Sequence, residues 1–398
     1  MINTIGIYIH TPFCLSKCAY CDFASYEGKN ELMPLYHDAL KAHIKEFAPR
    51  LEAFYADTVY IGGGTPTRYG ADRLIDLFEL LKHRCKVLID SEVTLEANPE
   101  SVRLDDFKAL RKAGFNRVSL GAQSFNDAHL RRIDRAHNRE EILDAIEHIR
   151  AAGFDNLSLD LIYGLPGQTR KDWAEDLAQA MRLQPEHISA YGLKIERGTK
   201  LWPKRGDPDI PDDDTQADMY LYTVDALAGD GYAQYEISNF AKPGRESKHN
   251  LKYWTLKPYV GFGSSASSYF GNIRYKYLIE PESYIAATQN NAAITIPDET
   301  EYLSPYEHAA DYIMLGMRTS AGICRSEYNA IYRGGFDSIE NTLQNFVKLE
   351  LTIRREDRYS FTPRGFLLSN RLIGELLDAQ AERKMQAGTP WRANDYFN

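Results

Sequence analysis

The sequence predicts an α/β fold: a partial parallel (β/α)6 barrel with a smaller C-terminal α+β domain. Three observations carry this. Apolar strands alternate with amphipathic helices six times over the first half of the 398 residues. One unit is echoed in the next: "LRKAGFNRVSLGAQSF" resembles "IRAAGFDNLSLDLIYG", with Gly114 and Gly153 as equivalent helix stops. After about Arg197 the alternation breaks, and the turn-rich, acidic stretch "KRGDPDIPDDDT" follows.

The elements follow in order. Residues 5–9, "IGIYI", form the first strand, and Leu32, Leu35, Tyr36, Ala39, Leu40, His43 and Phe47 recur at helical spacing. "TVYIGGG" is a strand that ends in Gly62, Gly63 and Gly64, and Leu74, Leu77, Phe78 and Leu81 mark the next helix. "EVTLEANPE" is the third strand with its loop, followed by a helix through Leu104, Phe107 and Leu110. "RVSLGAQSF" is the fourth strand, residues 142–149 are helical, and "NLSLDLIYGLPG" is the fifth strand. A helix over 173–181 leads to "HISAYGLKI", the sixth. Residues 211–214 read as a helix start, 232–277 are rich in tyrosine and glycine, and helices resume near Pro305 before short strands in 349–361. Polar or glycine residues follow each barrel strand at its C-terminal end, where barrel enzymes assemble their sites.

Hydrophobic content of 43% and charge of 26% describe an ordinary globular chain. A net charge of −9 gives no footprint for nucleic acid. No apolar run approaches the roughly 20 residues of a membrane span. No basic segment followed by a long apolar one opens the chain, so the expectation is a cytoplasmic protein without a signal peptide. Thiols stay reduced there, and a cysteine cluster reads as metal-binding or catalytic.

Three of the five cysteines, Cys14, Cys18 and Cys21, fall within eight positions of "HTPFCLSKCAYCDF". Three thiolates are one ligand short of a closed zinc site, and His10 is the available fourth. The better reading is a [4Fe–4S] cluster with three cysteine-bound irons and one iron left open for another ligand. Cys85 and Cys324 are isolated and read as structural. The spacing C-x3-C-x2-C, with Tyr20 before the third cysteine, resembles that of the radical S-adenosylmethionine (SAM) superfamily. That resemblance implies a cluster held by Cys14, Cys18 and Cys21 whose open iron chelates SAM and whose electron cleaves it. "GGGTPT" resembles the superfamily's glycine motif, where backbone approaches the SAM methionine.

Over residues 1 to about 370 the chain further resembles the oxygen-independent coproporphyrinogen III oxidase family. Carried over residue by residue, that resemblance implies SAM contacts at Tyr8, Tyr20, Gly63, Gly64, Thr65, Glu96, Gln123, Arg135 and Asp160. Two departures stand out. Phe23 occupies the place of the oxidase's additional cysteine, and four residues precede the first strand where the oxidase has a long extension. The start of the chain and the "HNLKYW" stretch, residues 249–254, resemble instead the heme-chaperone branch of the family, with His249 as the implied heme ligand. The same branch implies heme as cargo, transfer to apo-hemoproteins such as respiratory enzymes, and an electron donor for the cluster. It leaves room for a homodimer and a peripheral membrane contact. The alternative is a radical SAM decarboxylase acting on a porphyrinogen. The resulting division is 1–200, radical SAM barrel core; 201–300, barrel extension with the heme motif; and 301–398, small α+β domain. "GFGSSASS", residues 261–268, offers small residues for close passage to a cofactor, and His10 is expected to line a pocket.

Overall fold

The fold follows from a computed structural model that describes residues 2–289, 297 and 299–387. The end of the expected C-terminal domain, 388–398, lies outside the described residues. Strands β1 (Thr4–Thr11), β2 (Tyr55–Gly63), β3 (Lys86–Ala97), β4 (Arg117–Gln123), β5 (Leu157–Tyr163) and β6 (His187–Gly192) lie side by side in chain order. All are parallel. Helices α1 (Met33–Phe47), α2 (Ala71–Arg84), α3 (Leu104–Ala113), α4 (Arg139–Ala151) and α5 (Arg170–Arg182) make the crossovers, and α6 (Asp213–Gly229) follows β6. This is the partial (β/α)6 barrel that the sequence predicts.

Local chemistry sets the helix limits. Asn138 with Glu141, and Thr169 with Asp172, form reciprocal capping boxes at the starts of α4 and α5. Gly114 and Gly153, the two echoed glycines, both take positive φ (118° and 92°) just past helix ends. Each parallel strand has two unlike faces. Ile5, Ile7, Ile9, Val59, Ile61, Val93, Leu95, Val118, Leu120, Leu157, Leu159 and Ile188 join the helices in one large apolar core. The intervening residues are polar or glycine: Tyr8 and His10, Tyr60 and Gly62, Thr94 and Glu96, Ser119 and Gly121, Ser158 and Asp160, His187 and Ser189.

The sheet extends past both edges of this unit. After β6, β7 (Asn239–Ala241) adds antiparallel. Helix α7 (Lys248–Trp254) then leads back to β8 (Tyr259–Phe262), which pairs in parallel with β1 as a seventh parallel strand. Sequence reading left that strand inside a tyrosine- and glycine-rich region, because four residues between turns give little periodicity. β9 (Ser267–Phe270), β10 (Ile273–Lys276) and β11 (Glu299–Tyr302) continue antiparallel. The strand order is linear, so the barrel stays open.

A second core, including Ile313, Met317, Tyr328, Phe336, Leu343, Tyr359 and Leu376, gathers the later helices around a three-stranded sheet. Among the described residues, no helix is long and apolar enough to cross a membrane.

Trp173 of α5 is fully buried and donates its indole N–H to Thr223 Oγ1 of α6 at 2.8 Å, tying the last crossover to the barrel. Trp173→Ala should lower unfolding stability by ~3–5 kcal/mol through lost burial and an unfilled cavity. Urea denaturation should show this as a reduced midpoint at unchanged slope.

Candidate metal and cofactor site

The cysteine loop leaves the C-terminal end of β1. Residues 13–14 pair with 26–27, closing the loop on itself, and the Tyr26 N–H donates to Pro12 O at 2.7 Å. Inside it, the Cys21 N–H reaches Cys18 O, while Lys17 Nζ donates to the carbonyls of Phe23 and Ser25. Ala19 anchors the far side: its N–H donates to Ile133 O and its carbonyl accepts from Leu201 N–H. Ala19, Ile133, Ile162, Leu165 and Leu201 form a small apolar cluster of their own beneath the loop.

All three thiols are free and line one cavity of about 500 Å³ at the C-terminal ends of the strands. Thr65 Oγ1 donates to Cys14 Sγ at 3.7 Å, Arg135 Nη1 to Cys18 Sγ at 3.3 Å, and Ser25 Oγ lies 3.8 Å from Cys21 Sγ. Burial raises the pKa of Cys14 and of Cys21, and the neighbouring thiols push in the same direction. A bound metal reverses that preference, because the thiolate is its ligand.

The glycine segment passes close to the thiols. A Cβ on Gly64 would lie 2.9 Å from Cys14 Sγ and 2.8 Å from Phe13 O; one on Gly62 would lie 2.9 Å from the Glu96 carboxylate. Gly63 has φ of 120°, and a Cβ there would meet the His10 ring at 2.7 Å. The segment is held by Gly64 N–H to Thr11 O and Thr65 N–H to Phe13 O. Only glycine fits all three positions.

The structure brings Tyr20, Gly63, Gly64, Thr65, Glu96, Gln123, Arg135 and Asp160 to the lining of this cavity with the cysteines. Glu96 accepts from the Tyr60 hydroxyl at 2.8 Å and from the Gly63 N–H at 3.1 Å. Burial pushes its pKa up to about 7, with Asp160 adding to the shift and those two hydrogen bonds opposing it. Asp160 accepts from the hydroxyls of Ser119, Ser158 and Ser189, yet burial still raises its pKa. Arg135 spans the wall, with Nη2 donating to Asn98 Oδ1 and Gly121 O. Gln123 ends β4 at φ of 65°, beside a register shift in the strand, a left-handed conformation that a non-glycine residue adopts under strain. Tyr20 packs beside the small apolar cluster, and its pKa is raised by burial.

Tyr8 is not among the residues around this cavity. It lines a second one of about 450 Å³ with His10, Phe23, Tyr253, Tyr259 and Lys276; the two cavities share Asp22, Phe23, Gly63 and Glu96. The Tyr8 hydroxyl meets His10 Nδ1 at 3.0 Å, and His10 Nε2 donates to Ala24 O. Burial lowers the His10 pKa to about 4. Both nitrogens of His10 are engaged away from the thiols. Among the described residues, no group of three or more His, Cys, Asp or Glu side chains could hold a single metal ion. As His10 stands, its hydrogen bonds to Tyr8 and Ala24 leave neither ring nitrogen free to close a zinc site. Three thiols around a cavity, under a glycine cradle that any Cβ would fill, suit a larger group such as an iron–sulfur cluster.

His249 faces neither cavity. It is fully buried on the polar side of the strands, with Nδ1 bonded to Thr58 Oγ1 and Nε2 to the Tyr253 hydroxyl, both at 2.8 Å. Glu92 accepts the N–H groups of Lys248 and His249, fixing the start of α7. Burial lowers the His249 pKa to about 3. Asn250, next in the chain, does line the first cavity.

Sequence reading missed Arg117. It is 1% exposed, lines the first cavity, and its Nε and Nη1 have no hydrogen-bond partner among the described residues. The signal was present: an arginine heading the fully buried strand "RVSLGAQ" needs a reason to be there.

Comparison with known proteins agrees with this geometry. The sequence pattern of the Radical SAM superfamily matches residues 8–180. The heme chaperone HemW of Lactococcus lactis is 34% identical over 93% of this chain and 96% of its own. That of Bacillus subtilis is 34% identical over 93% and 98%, and that of Mycobacterium tuberculosis H37Rv 35% over 94% of each. Among solved structures, Escherichia coli coproporphyrinogen III oxidase (HemN), described as a radical SAM enzyme, superposes with a TM-score of 0.82. It covers 94% of this chain and 90% of its own at 24% identity, and so shares the fold. The fold is thus that of a radical SAM protein, a class that implies SAM and a [4Fe–4S] cluster. Within it, the chain belongs to the HemW heme-chaperone family.

Two outcomes test the site. Gly64→Ala should prevent cluster assembly while leaving the fold intact, read as lost iron and sulfide after anaerobic reconstitution at unchanged circular dichroism. The second concerns Glu96 in cluster-free protein. Its raised pKa means that between about pH 4.5 and 7 the native state keeps a proton that the unfolded chain has released. Stability from this group is complete below about pH 4.5 and is lost as pH rises through about 7. The melting temperature of Glu96→Gln relative to wild type should therefore climb from about pH 5.5 to about pH 8. A difference independent of pH would show that Glu96 ionises normally.

Proposed function

We propose that this protein binds heme and passes it to apo-hemoproteins, and that Cys14, Cys18 and Cys21 hold a SAM-ligated [4Fe–4S] cluster. Full-length similarity to HemW chaperones carries the reading, and the single cavity shared by three thiols and a glycine cradle supports it. When bound, such a cluster supplies an open iron for the amino and carboxylate groups of SAM and an electron to cleave it.

This chain's residues supply the surroundings. Gly63, Gly64 and Thr65 would lie along the methionine part of SAM, with Glu96 as a carboxylate acceptor beside them. Tyr20, Gln123, Arg135 and Asp160 complete the polar wall, and Tyr8 would act from the adjoining cavity. Arg135 also steadies Cys18 by its hydrogen bond. We extend the proposal to residues 1–200 as the unit for cluster and SAM, 201–300 as the part facing heme, and 301–398 as a separate small unit. The acceptors are apo-hemoproteins such as respiratory enzymes, and an electron donor serves the cluster. Homodimer formation, peripheral membrane contact and a cytoplasmic location belong to the same reading.

His249 as the iron ligand needs its bond to Tyr253 broken first. Removing the imidazole also orphans the Thr58 and Tyr253 hydroxyls, so His249→Ala should cost heme-free protein ~2–4 kcal/mol. Tyr253→Phe separates the two roles, since it frees Nε2 while keeping the ring.

The decisive experiment is anaerobic titration with hemin, followed by transfer to an apo-hemoprotein. A saturable Soret shift and delivery of heme are expected. If Nε2 is the ligand, Tyr253→Phe binds heme more tightly and His249→Ala loses the imidazole-bound spectrum. Wild-type heme binding by His249→Ala would move the ligand elsewhere. Phe23 in place of the oxidase's further cysteine argues for no protoporphyrinogen from coproporphyrinogen III; consumption of that substrate with SAM would restore the enzyme reading.

A further inference from the structure

Of the residues around the second cavity, Tyr8, Tyr253 and the shared Gly63 and Glu96 have roles above, and the chemistry of the remainder is specific. Tyr8, Tyr253 and Tyr259 form aromatic walls, and Phe23 stands at the rim. Phe23 is 64% exposed, a large apolar ring left in water at the edge of a concavity. Lys276 of β10, with Ser265 and Ser267, lines the same cavity. Lys276 has no carboxylate partner among the described residues, although its neighbour across the strand pair is Glu299. The positive charge of Lys276 acts on the buried His10 ring, which lines the same cavity. The two carboxylates, Asp22 and Glu96, belong to the part shared with the cluster cavity.

We propose that this cavity is the docking site of heme, with the porphyrin face against Tyr253, Tyr259 and Phe23 and a propionate paired to Lys276. The proposal rests on the heme reading above and gives it a place. A volume of about 450 Å³ falls within the ~300–1,000 Å³ of ligand pockets, which are lined by aromatics with a few convergent polar groups. A flat, apolar ring that carries carboxylates at one edge matches aromatic walls that include a single lysine. Asp22, in the part shared with the cluster cavity, disfavours a propionate there, which leaves Lys276 as its partner. Tyr253 links the cavity to His249, because it lines the wall while its hydroxyl holds Nε2. The shared Gly63 and Glu96 place the ligand next to the cluster cavity.

The test uses the full chain with its cluster reconstituted, titrated anaerobically with hemin and with the propionate dimethyl ester of hemin. Lys276→Glu should weaken hemin binding about tenfold or more by losing a charge-assisted contact. It should bind the ester as wild type does. Phe23→Ser should weaken both ligands, with iron and sulfide content retained. Should Lys276→Glu fail to fold by circular dichroism, Lys276→Gln gives the same contrast at smaller amplitude. If wild type binds hemin and folded variants match it, the cavity assignment is overturned while the heme reading stands. Equal loss of hemin and ester in the Lys276 variant also overturns it, since the propionate is then not what Lys276 holds. Failure of wild type to bind hemin defeats the heme reading itself.

Discussion

The structure depends on the two-faced character of its parallel strands. Strands buried on both sides ordinarily read as continuous apolar runs. Here nearly every second residue is polar or glycine, from Gly6, Tyr8 and His10 on β1 to His187 and Ser189 on β6, with Ile162 of β5 an exception. The apolar set packs against the helices and supplies the stability of the large core. The polar set cannot pack as an apolar core, so it must be hydrogen-bonded or meet a ligand. Both happen: Ser158 bonds His187, whose other nitrogen meets the Tyr235 hydroxyl, while Glu96, Asp160 and Arg117 line open volume. Helix α7 fills the remainder from below, with His249 taking Thr58 as a partner.

At the C-terminal ends of the strands, the same inward positions shrink to glycine. Gly62 and Gly121 continue the polar faces of β2 and β4, and each lies too close to a functional side chain for a Cβ: Glu96 in the first case, Gln123 in the second. Gly64 repeats this against Cys14. The thiols, the carboxylates and the glycine backbone are therefore one packing problem. The sheet fixes where the strands end, the glycines permit the loop to descend onto them, and Ala19 pins the loop's far side.

Much of this was legible in the sequence. Regular strand–helix spacing and glycine stops are local signals, and they predicted the six parallel strands; the cysteine triplet, with the family resemblance it opened, pointed to eleven of the residues that line the first cavity. What escaped was non-local. The seventh parallel strand, β8, is short, and its partner β1 lies some 250 residues away. Tyr8 and Glu96 were legible as motif positions. That Tyr8 opens onto a second cavity while Glu96 serves both depends on how β8 and its hairpin fold over the barrel edge. His249 shows the limit most clearly. Its motif is readable, but its enclosure by Thr58 and Tyr253 comes from residues 191 positions and 4 positions away acting together.

The charges of the interior explain why a mixed-sign ligand suits it. Glu96 and Asp160 are buried enough to hold their protons more tightly than usual, and Arg117 carries a guanidinium with two unbonded nitrogens. Alone, each is unfavourable in a low-dielectric interior. They sit close enough to influence one another, since Arg117 lowers the pKa of both carboxylates, but not close enough to form an ion pair among the described residues. Such an arrangement keeps a cation and two carboxyl groups, one of them with its pKa raised to about 7, available at fixed positions. A ligand bearing an ammonium and a carboxylate would meet both signs at once, so its binding would relieve burial costs that the folded chain already carries. The interior is less a finished core than one half of a complex.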